Sequence, residues 1–250
     1  MVKNKKVSGY GKGGVDVIMS VDQVAKAAAA ISDKAPKLNE LEKLSKNDPL
    51  LSIKNLKAGY GKMEILHDFN LFISKGQSLC LIGPNGAGKS TVLHSIFGFT
   101  NIFSGNITIG GKDITNLTPN QKLSNAGIAY ILQDKSVFPQ MTVEENLLMG
   151  GFLKNKPSEA KQATEMVFDK YERLAARRNK PAGVLSGGER RLLEISRALV
   201  MQPQILLVDE PSIGLEPRFI DMVFGILDDL QKKDGKTIIM VEQNAKKGLA

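Results

Sequence analysis

The run Gly83-Pro84-Asn85-Gly86-Ala87-Gly88-Lys89-Ser90 decides the fold. Its glycines let backbone N–H groups wrap phosphates, Lys89 reaches the terminal pair, and Ser90 can ligate magnesium while opening a helix whose dipole favours anions. The flanks have the required character. The apolar run Ser78 to Ile82 reads as the strand that feeds the loop, and Thr91 to Phe97 continue as a helix. The phosphate site is therefore assigned to Gly83, Pro84, Asn85, Gly86, Ala87, Gly88, Lys89, Ser90 and Thr91, on an α/β scaffold, with Ser90 also a metal ligand.

Downstream, Ile205-Leu206-Leu207-Val208-Asp209-Glu210 is an apolar strand ending in two carboxylates. Asp209 is placed to hold magnesium through water, and Glu210 to orient or deprotonate an attacking water. Such a pair alone usually just starts a loop; beside a phosphate loop it becomes a catalytic candidate. Between the two motifs, Leu185-Ser186-Gly187-Gly188-Glu189 contains a capping box. Its helix runs through Leu192, Leu193, Ile195, Ala198 and Leu199 and stops at Pro203. What exceeds an ordinary cap is Gly187-Gly188, which exposes backbone donors at a positive helix end, a receptor for a phosphate supplied from elsewhere.

Around these motifs, Leu51 to Leu56, Ile65 to Ile73 and Asn106 to Ile109 read as an antiparallel layer separated by Gly and Asn turns. Ser78 to Ile82, Gly127 to Leu132, Ile205 to Val208 and Thr237 to Val241 are continuous apolar runs, as expected of parallel strands buried on both faces. Phe219 to Leu230 has helical spacing and ends at Lys232, Lys233 and Gly235, a covering helix between two core strands. Thr142 with Glu145 opens another helix and Ser158 to Arg177 forms a longer charged one, so 134–200 reads as a helical subdomain.

Residues 1–49 differ in composition, with the tract Ala25 to Ala30 and alternating charges from Lys34 to Asp48. They are read as an N-terminal extension to a domain spanning 50–250. Ser20 with Gln23 resembles a capping box, and Leu38, Leu41 and Leu44 mark a second amphipathic stretch; two marginal helices or a mobile tail fit equally. Gly9-Tyr10-Gly11-Lys12 echoes Gly59-Tyr60-Gly61-Lys62, a single match that is more often chance than a repeat.

A chain of 250 residues fits one domain with an appendage. Apolar residues make up 42%, yet no run reaches membrane-spanning length, so any membrane role comes through a partner. The basic start Met1 to Lys6 is followed by Lys12, Asp16 and Asp22 where a signal peptide needs an apolar region, which argues against export. Cys80 lies in an apolar run and reads as a core thiol in a reducing compartment. The net charge of +8 is carried by scattered lysines, and aromatics are only 6%, so nucleic acid is not an expected partner.

Leu185 to Glu189 matches the signature of ATP-binding cassette (ABC) proteins, and the chain resembles them in motif order from about Leu50 onward. The resemblance implies a P-loop NTPase ABC cassette with a mainly parallel core sheet, an antiparallel β layer and a helical subdomain, using ATP and Mg2+. In that family the signature caps the ATP of the opposite subunit. Ser186, Gly187, Gly188 and Glu189 would thus bind nucleotide across a homodimer, or a heterodimer with a second ABC ATPase. By the same resemblance Tyr60 stacks on adenine, and Gln133 is the Q-loop glutamine that senses magnesium and the permease. Ile213-Gly214-Leu215-Glu216 stands where the family usually has Ser-Ala-Leu-Asp, and Gln243 where most cassettes place a switch histidine. Neither His67 nor His94 replaces it by sequence position. Glutamine can hydrogen-bond a γ-phosphate but cannot become an imidazolium, so Glu210 must be the base in any hydrolysis.

Gly59-Tyr60-Gly61, the run Phe138 to Asn146 and Val241-Glu242-Gln243-Asn244 together resemble the ATPases of bacterial branched-chain amino acid uptake systems; urea and amide importers look similar. This implies a cytoplasmic protein, peripheral on the inner face of the cell membrane. Its transmembrane permease subunits would dock near Gln133 to Met149, and a periplasmic or extracellular solute-binding protein would act indirectly. Cassettes of translation are usually tandem, whereas this sequence carries one set of cassette motifs; those of DNA repair insert a long coiled coil between phosphate loop and signature, and no such insertion separates Lys89 from Leu185. Glu210 argues against a binding-only regulator, which Gln243 and Ile213 keep open. Family members normally continue past the switch strand, so the resemblance implies that the C-terminal end of the cassette is lacking here.

Overall fold

The computed structural model describes residues 40, 43, 45, 48–132 and 136–242. The features expected within 1–39, together with Gln133 and Gln243, lie outside the described residues. In chain order the strands are β1 (Leu51–Tyr60), β2 (Met63–Ile73), β3 (Ser78–Ile82), β4 (Asn101–Ile109), β5 (Lys112–Asp113), β6 (Ile128–Ile131), β7 (Ile205–Asp209) and β8 (Thr237–Glu242). The helices are α1 (Lys89–Phe97), α2 (Pro119–Ser124), α3 (Val143–Gly150), α4 (Pro157–Lys170), α5 (Glu172–Ala175), α6 (Gly187–Leu199) and α7 (Pro217–Lys232).

The continuous apolar runs become a four-stranded parallel sheet in the order β3-β8-β7-β6. Alternation explains why those runs show no polar face. Ile205, Leu207, Ile239 and Val241 point into a core shared with α1 and the antiparallel sheet, while Leu206, Val208, Ile238 and Met240 point the other way onto α6 and α7. Each such side chain taken fully from water contributes about 1.5–3 kcal/mol. Every residue of β7 and β8 is buried. Strand β3 departs from the expectation: among the described residues it is the edge of this sheet, with β8 as its partner, and its residues are half-buried or exposed. Cys80 is accordingly half-buried rather than a core thiol. Burial, and then the charge of Glu242, push the thiol up to about 11, so it stays protonated and unreactive at neutral pH.

The antiparallel layer has the order β2-β1-β4-β5, with bulges along β1. It covers α1 through Leu51, Ile53, Leu56 and Ile107, which join Val92, Leu93 and Ile96 in one core. Between β6 and β7, α3 to α6 enclose a separate cluster that includes Val143, Leu147, Val167, Phe168, Leu174, Leu192 and Leu193. Thr142 caps α3 through a reciprocal bond with Glu145. The expected single helix over Ser158 to Arg177 is two. Tyr171 leaves the helical backbone (φ −127°, ψ 81°) and lays its ring against the helical cluster, which ends α4 and restarts the chain as α5.

Candidate active site

Strand β3 delivers the loop Gly83 to Gly88 to the start of α1, with Gly86 and Gly88 at φ 81° and 82°. The first amides of α1 have no partner within the helix by construction and carry its positive end. Asn85, Gly86, Gly88, Lys89, Ser90 and Thr91 line a cleft of about 420 Å3, joined by Tyr60, Ile65 and Glu210. Gly83 and Pro84 serve it indirectly, since the Lys89 ammonium donates to their carbonyls at 2.8 and 2.9 Å. The Ala87 amide closes the loop onto Pro84 O at 3.3 Å.

Asp209 ends β7, is 6% exposed, and faces α1 across the sheet. One of its oxygens accepts from Ser90 Oγ at 3.1 Å, and the other from the Tyr130 hydroxyl at 2.8 Å. Burial and then the Asp209 charge push the Tyr130 phenol far up, so it remains a donor. Hydroxyl and carboxylate oxygens side by side are the hard donors that magnesium takes beside phosphate oxygens, so the residues present fit that ion. Glu210 follows with φ 44°, a left-handed conformation uncommon for a residue with a side chain, fixed by its amide bonding to Val241 O at 3.0 Å. Strain of this kind recurs where a side chain must be aimed. Glu242, 2% exposed, accepts from both the amide and hydroxyl of Ser212 at 3.1 Å and so anchors the turn before exposed Ile213.

Tyr60 closes the other end of the cleft from the tip of the β1–β2 hairpin. Gly59 is required there, because a Cβ would lie 1.9 Å from Met63 O. The Tyr60 hydroxyl meets His94 Nδ1 at 2.5 Å, and the imidazole stands 5.7 Å from the rings of both Phe99 and Tyr130. Burial lowers the pKa of His94, with Asp209 acting in the opposite sense. His94 therefore belongs to the Tyr60 end of the cleft, in keeping with its exclusion as a substitute for the switch residue. Sequence reasoning did not find Tyr130, His94 or Glu242. Only the alternation that sends Tyr130 to the α1 face of β6 hinted at one of them.

The glycine-bearing helix is elsewhere. Ser186 caps α6, its hydroxyl accepting from the Glu189 amide at 3.3 Å while Glu189 accepts from the Ser186 amide at 2.9 Å. That bond from the Ser186 amide, the largest influence on it, holds the Glu189 carboxyl below the usual carboxylate range. Ser186 and Glu189 line a different cleft of about 320 Å3 with Arg173, Leu192, Phe219 and Met222. Gly187 is exposed with open space around it. Gly188 corrects the expectation of two exposed glycines: it is buried, and a Cβ there would lie 2.2 Å from the Phe219 ring. Its glycine serves close packing of α6 on α7.

Helix α6 also grips both shoulders of the segment containing Gln133. Arg191, 4% exposed, donates to Leu132 O at 2.9 Å and to Glu194 at 2.8 Å, and Glu194 accepts from the Ser136 amide at 3.3 Å. Arg197 bonds to Ser136 O.

A phosphate loop, a strand-end carboxylate bonded to its serine and a capped glycine helix on a separate cleft agree with one further observation. The sequence profile of the ABC transporter family matches residues 66–213, more than half of the chain. The chain belongs to this family. It is an ATP-binding ABC cassette, an ATPase, and cassettes of importers work with transmembrane permeases. It is 40% identical over 200 residues to the high-affinity branched-chain amino acid transport ATP-binding protein BraG of Pseudomonas aeruginosa, a match covering 80% of this chain and 84% of the relative. To the probable branched-chain amino acid transport ATP-binding protein LivF of Archaeoglobus fulgidus the identity is 38%, with the same coverage. Among solved structures, the ADP conformation of MJ1267, an ATP-binding cassette of an ABC transporter, superposes with a TM-score of 0.71 at 31% identity, covering 80% of this chain and 84% of that one. Among the described residues no helix of the cassette is long and apolar enough to cross a membrane.

Proposed function

We propose that this cassette hydrolyses ATP at sites completed between two subunits and so powers a membrane importer of branched-chain amino acids. The observation that carries the composite site is the separation of the two clefts: Tyr60, the phosphate loop and Glu210 line one, and Ser186 with Glu189 lines another. A subunit that holds a nucleotide's phosphates in the first cleft has its capped helix end turned to a different site, where a second subunit's phosphate would meet the exposed Gly187 end of the helix. The solute follows from the likeness to BraG and LivF, since no residue of a cassette touches what is carried.

In this reading Tyr60 is the platform for the adenine, Ser90 and Asp209 hold magnesium, and magnesium supplies charge neutralisation on the phosphates. Glu210, aimed by its backbone, takes the proton of the attacking water. Gln133 and Gln243 retain the metal-sensing and γ-phosphate roles that the family resemblance gives them. Residues 1–49 form an extension to the cassette at 50–250, whose helical subdomain about 134–200 meets the permease at the inner face of the membrane. Support for that docking surface comes from a cleft of about 280 Å3 lined by Tyr130, Phe138, Met149, Glu194, Arg197 and neighbours, beside exposed Leu132 and Phe152.

The test is Glu210→Gln in the full chain. ATP affinity should stay within about twofold of the parent, turnover should fall by at least two orders of magnitude, and ATP should trap a dimer on size exclusion. Unchanged hydrolysis removes Glu210 as the base. Deleting the gene should lower leucine uptake and spare urea uptake, and the reverse pattern assigns the importer to another solute.

A further inference from the structure

We infer that His94 is a positioning residue that fixes the Tyr60 ring before nucleotide arrives and thereby sets how strongly the cleft prefers a triphosphate with a base over one without. The inference rests on reading Tyr60 as the base platform and goes beyond it by naming what holds the platform.

Tyr60 is 43% exposed at a hairpin tip, a place where a ring is normally free to turn. A platform free to turn loses rotamer freedom when a base stacks on it, a cost on the order of a factor of three to ten in affinity per immobilised side chain. Here the ring is already tethered at its far end. Its hydroxyl meets His94 Nδ1 at 2.5 Å, with the two rings edge to face at 82° and 6.1 Å between centroids. His94 is itself held on two sides, edge to face with Phe99 at 5.7 Å and tilted on Tyr130 at 5.7 Å. Tyr130 cannot swing away, because its hydroxyl is bonded to Asp209.

The chain of contacts therefore runs from the exposed aromatic of the cleft to Asp209, the buried carboxylate bonded to Ser90. Chemically, a neutral imidazole with its proton on Nε2 presents Nδ1 as an acceptor to the Tyr60 O–H. The lowered pKa of His94 favours that neutral form. His94 contributes no surface to the cleft lining itself, which separates this role from direct contact with the nucleotide. Its backbone does other work, since His94 O accepts from the amides of Gly98 and Phe99 at 2.8 Å and ends α1. A variant must therefore keep the ring and remove only the acceptor.

His94→Phe does this, and Tyr60→Phe removes the same bond from the exposed side of the pair. Calorimetry with the full chain and magnesium would compare ATP with inorganic tripolyphosphate. Both variants should weaken ATP roughly three- to tenfold, leave tripolyphosphate unchanged, and show no further loss when combined. Equal weakening of both ligands, or additive losses in the double variant, would overturn the inference, as would unchanged ATP affinity. Tyr60→Leu separates this failure from failure of the underlying reading. If Tyr60→Leu erases the preference for ATP while the two Phe variants leave it intact, the platform stands and the tether falls; if Tyr60→Leu also leaves the preference intact, Tyr60 is no platform and the inference falls with it.

Discussion

Lys122 shows how far a single residue can depart from its composition-level reading as one of many scattered surface lysines. Its side chain is fully buried, donates to Ser95 O at 3.3 Å near the C-terminal end of α1, and is drawn in by the Asp113 charge. Burial, the dominant influence, pushes its pKa down to about 8. The unfolded chain holds the proton more tightly than the native one. Falling pH therefore costs native stability between the unfolded pKa of about 10.4 and the native value, and below pH 8 the deficit is constant. Thermal melts from pH 7.5 to 10 should show the parent gaining stability relative to Lys122→Met as pH rises. Parallel curves would mean that the amine is solvated in solution. The same gap between composition and environment hid Tyr130 and His94. Their types and positions are ordinary in the sequence, and only tertiary contact with Asp209 and Tyr60 gives them roles.

At the scale of elements, local signals were sufficient wherever the physics is local. The capping boxes of α3 and α6, the feeding strand of the phosphate loop and the cationic end of α7 all follow from a few neighbouring residues. What escaped depends on what an element packs against. The edge position of β3 is a property of sheet order, and the break at Tyr171 answers a hydrophobic cluster built from distant segments. Gly188 is the sharpest case, because its local reading as an exposed donor gives way to the approach of Phe219 from α7. Gly188→Ala should destabilise the fold by about 1–3 kcal/mol through overpacking, read as a lower urea midpoint with unchanged slope. Adding Phe219→Leu should recover part of that loss. Equal midpoints for Gly188→Ala and the parent would show that α6 and α7 can shift apart freely.

At the scale of the whole molecule, the cleft of the phosphate loop and the cleft of the capped helix remain separate in one chain. That arrangement predicts a variant with a split phenotype. Ser186→Arg should bind ATP as the parent does, because the first cleft is untouched, and should lose at least tenfold in turnover. The added side chain crowds the capped helix end that a second subunit would approach. Turnover equal to the parent's would mean that one chain completes its own site. The cores divide in the same way: the helical cluster of α3 to α6 is distinct from the two cores that flank the parallel sheet. Glu194 and Arg191 tie α6, the helix that carries Ser186, to Ser136 and Leu132, so the helical cluster and the parallel sheet are joined through this helix.

The edge placement of β3 also bears on how the chain comes into being. Roughly 160 residues separate Ser78 from its partner Ile238. At a synthesis rate of about 5–20 residues per second, that strand waits roughly ten seconds or longer for the only neighbour it has in the described sheet. The phosphate loop hangs from its end throughout, so ATP has no anchored cradle to stabilise in the nascent chain. The cradle that the folded cassette presents to phosphate is thus among the last of its parts to be anchored, once β8 has left the ribosome.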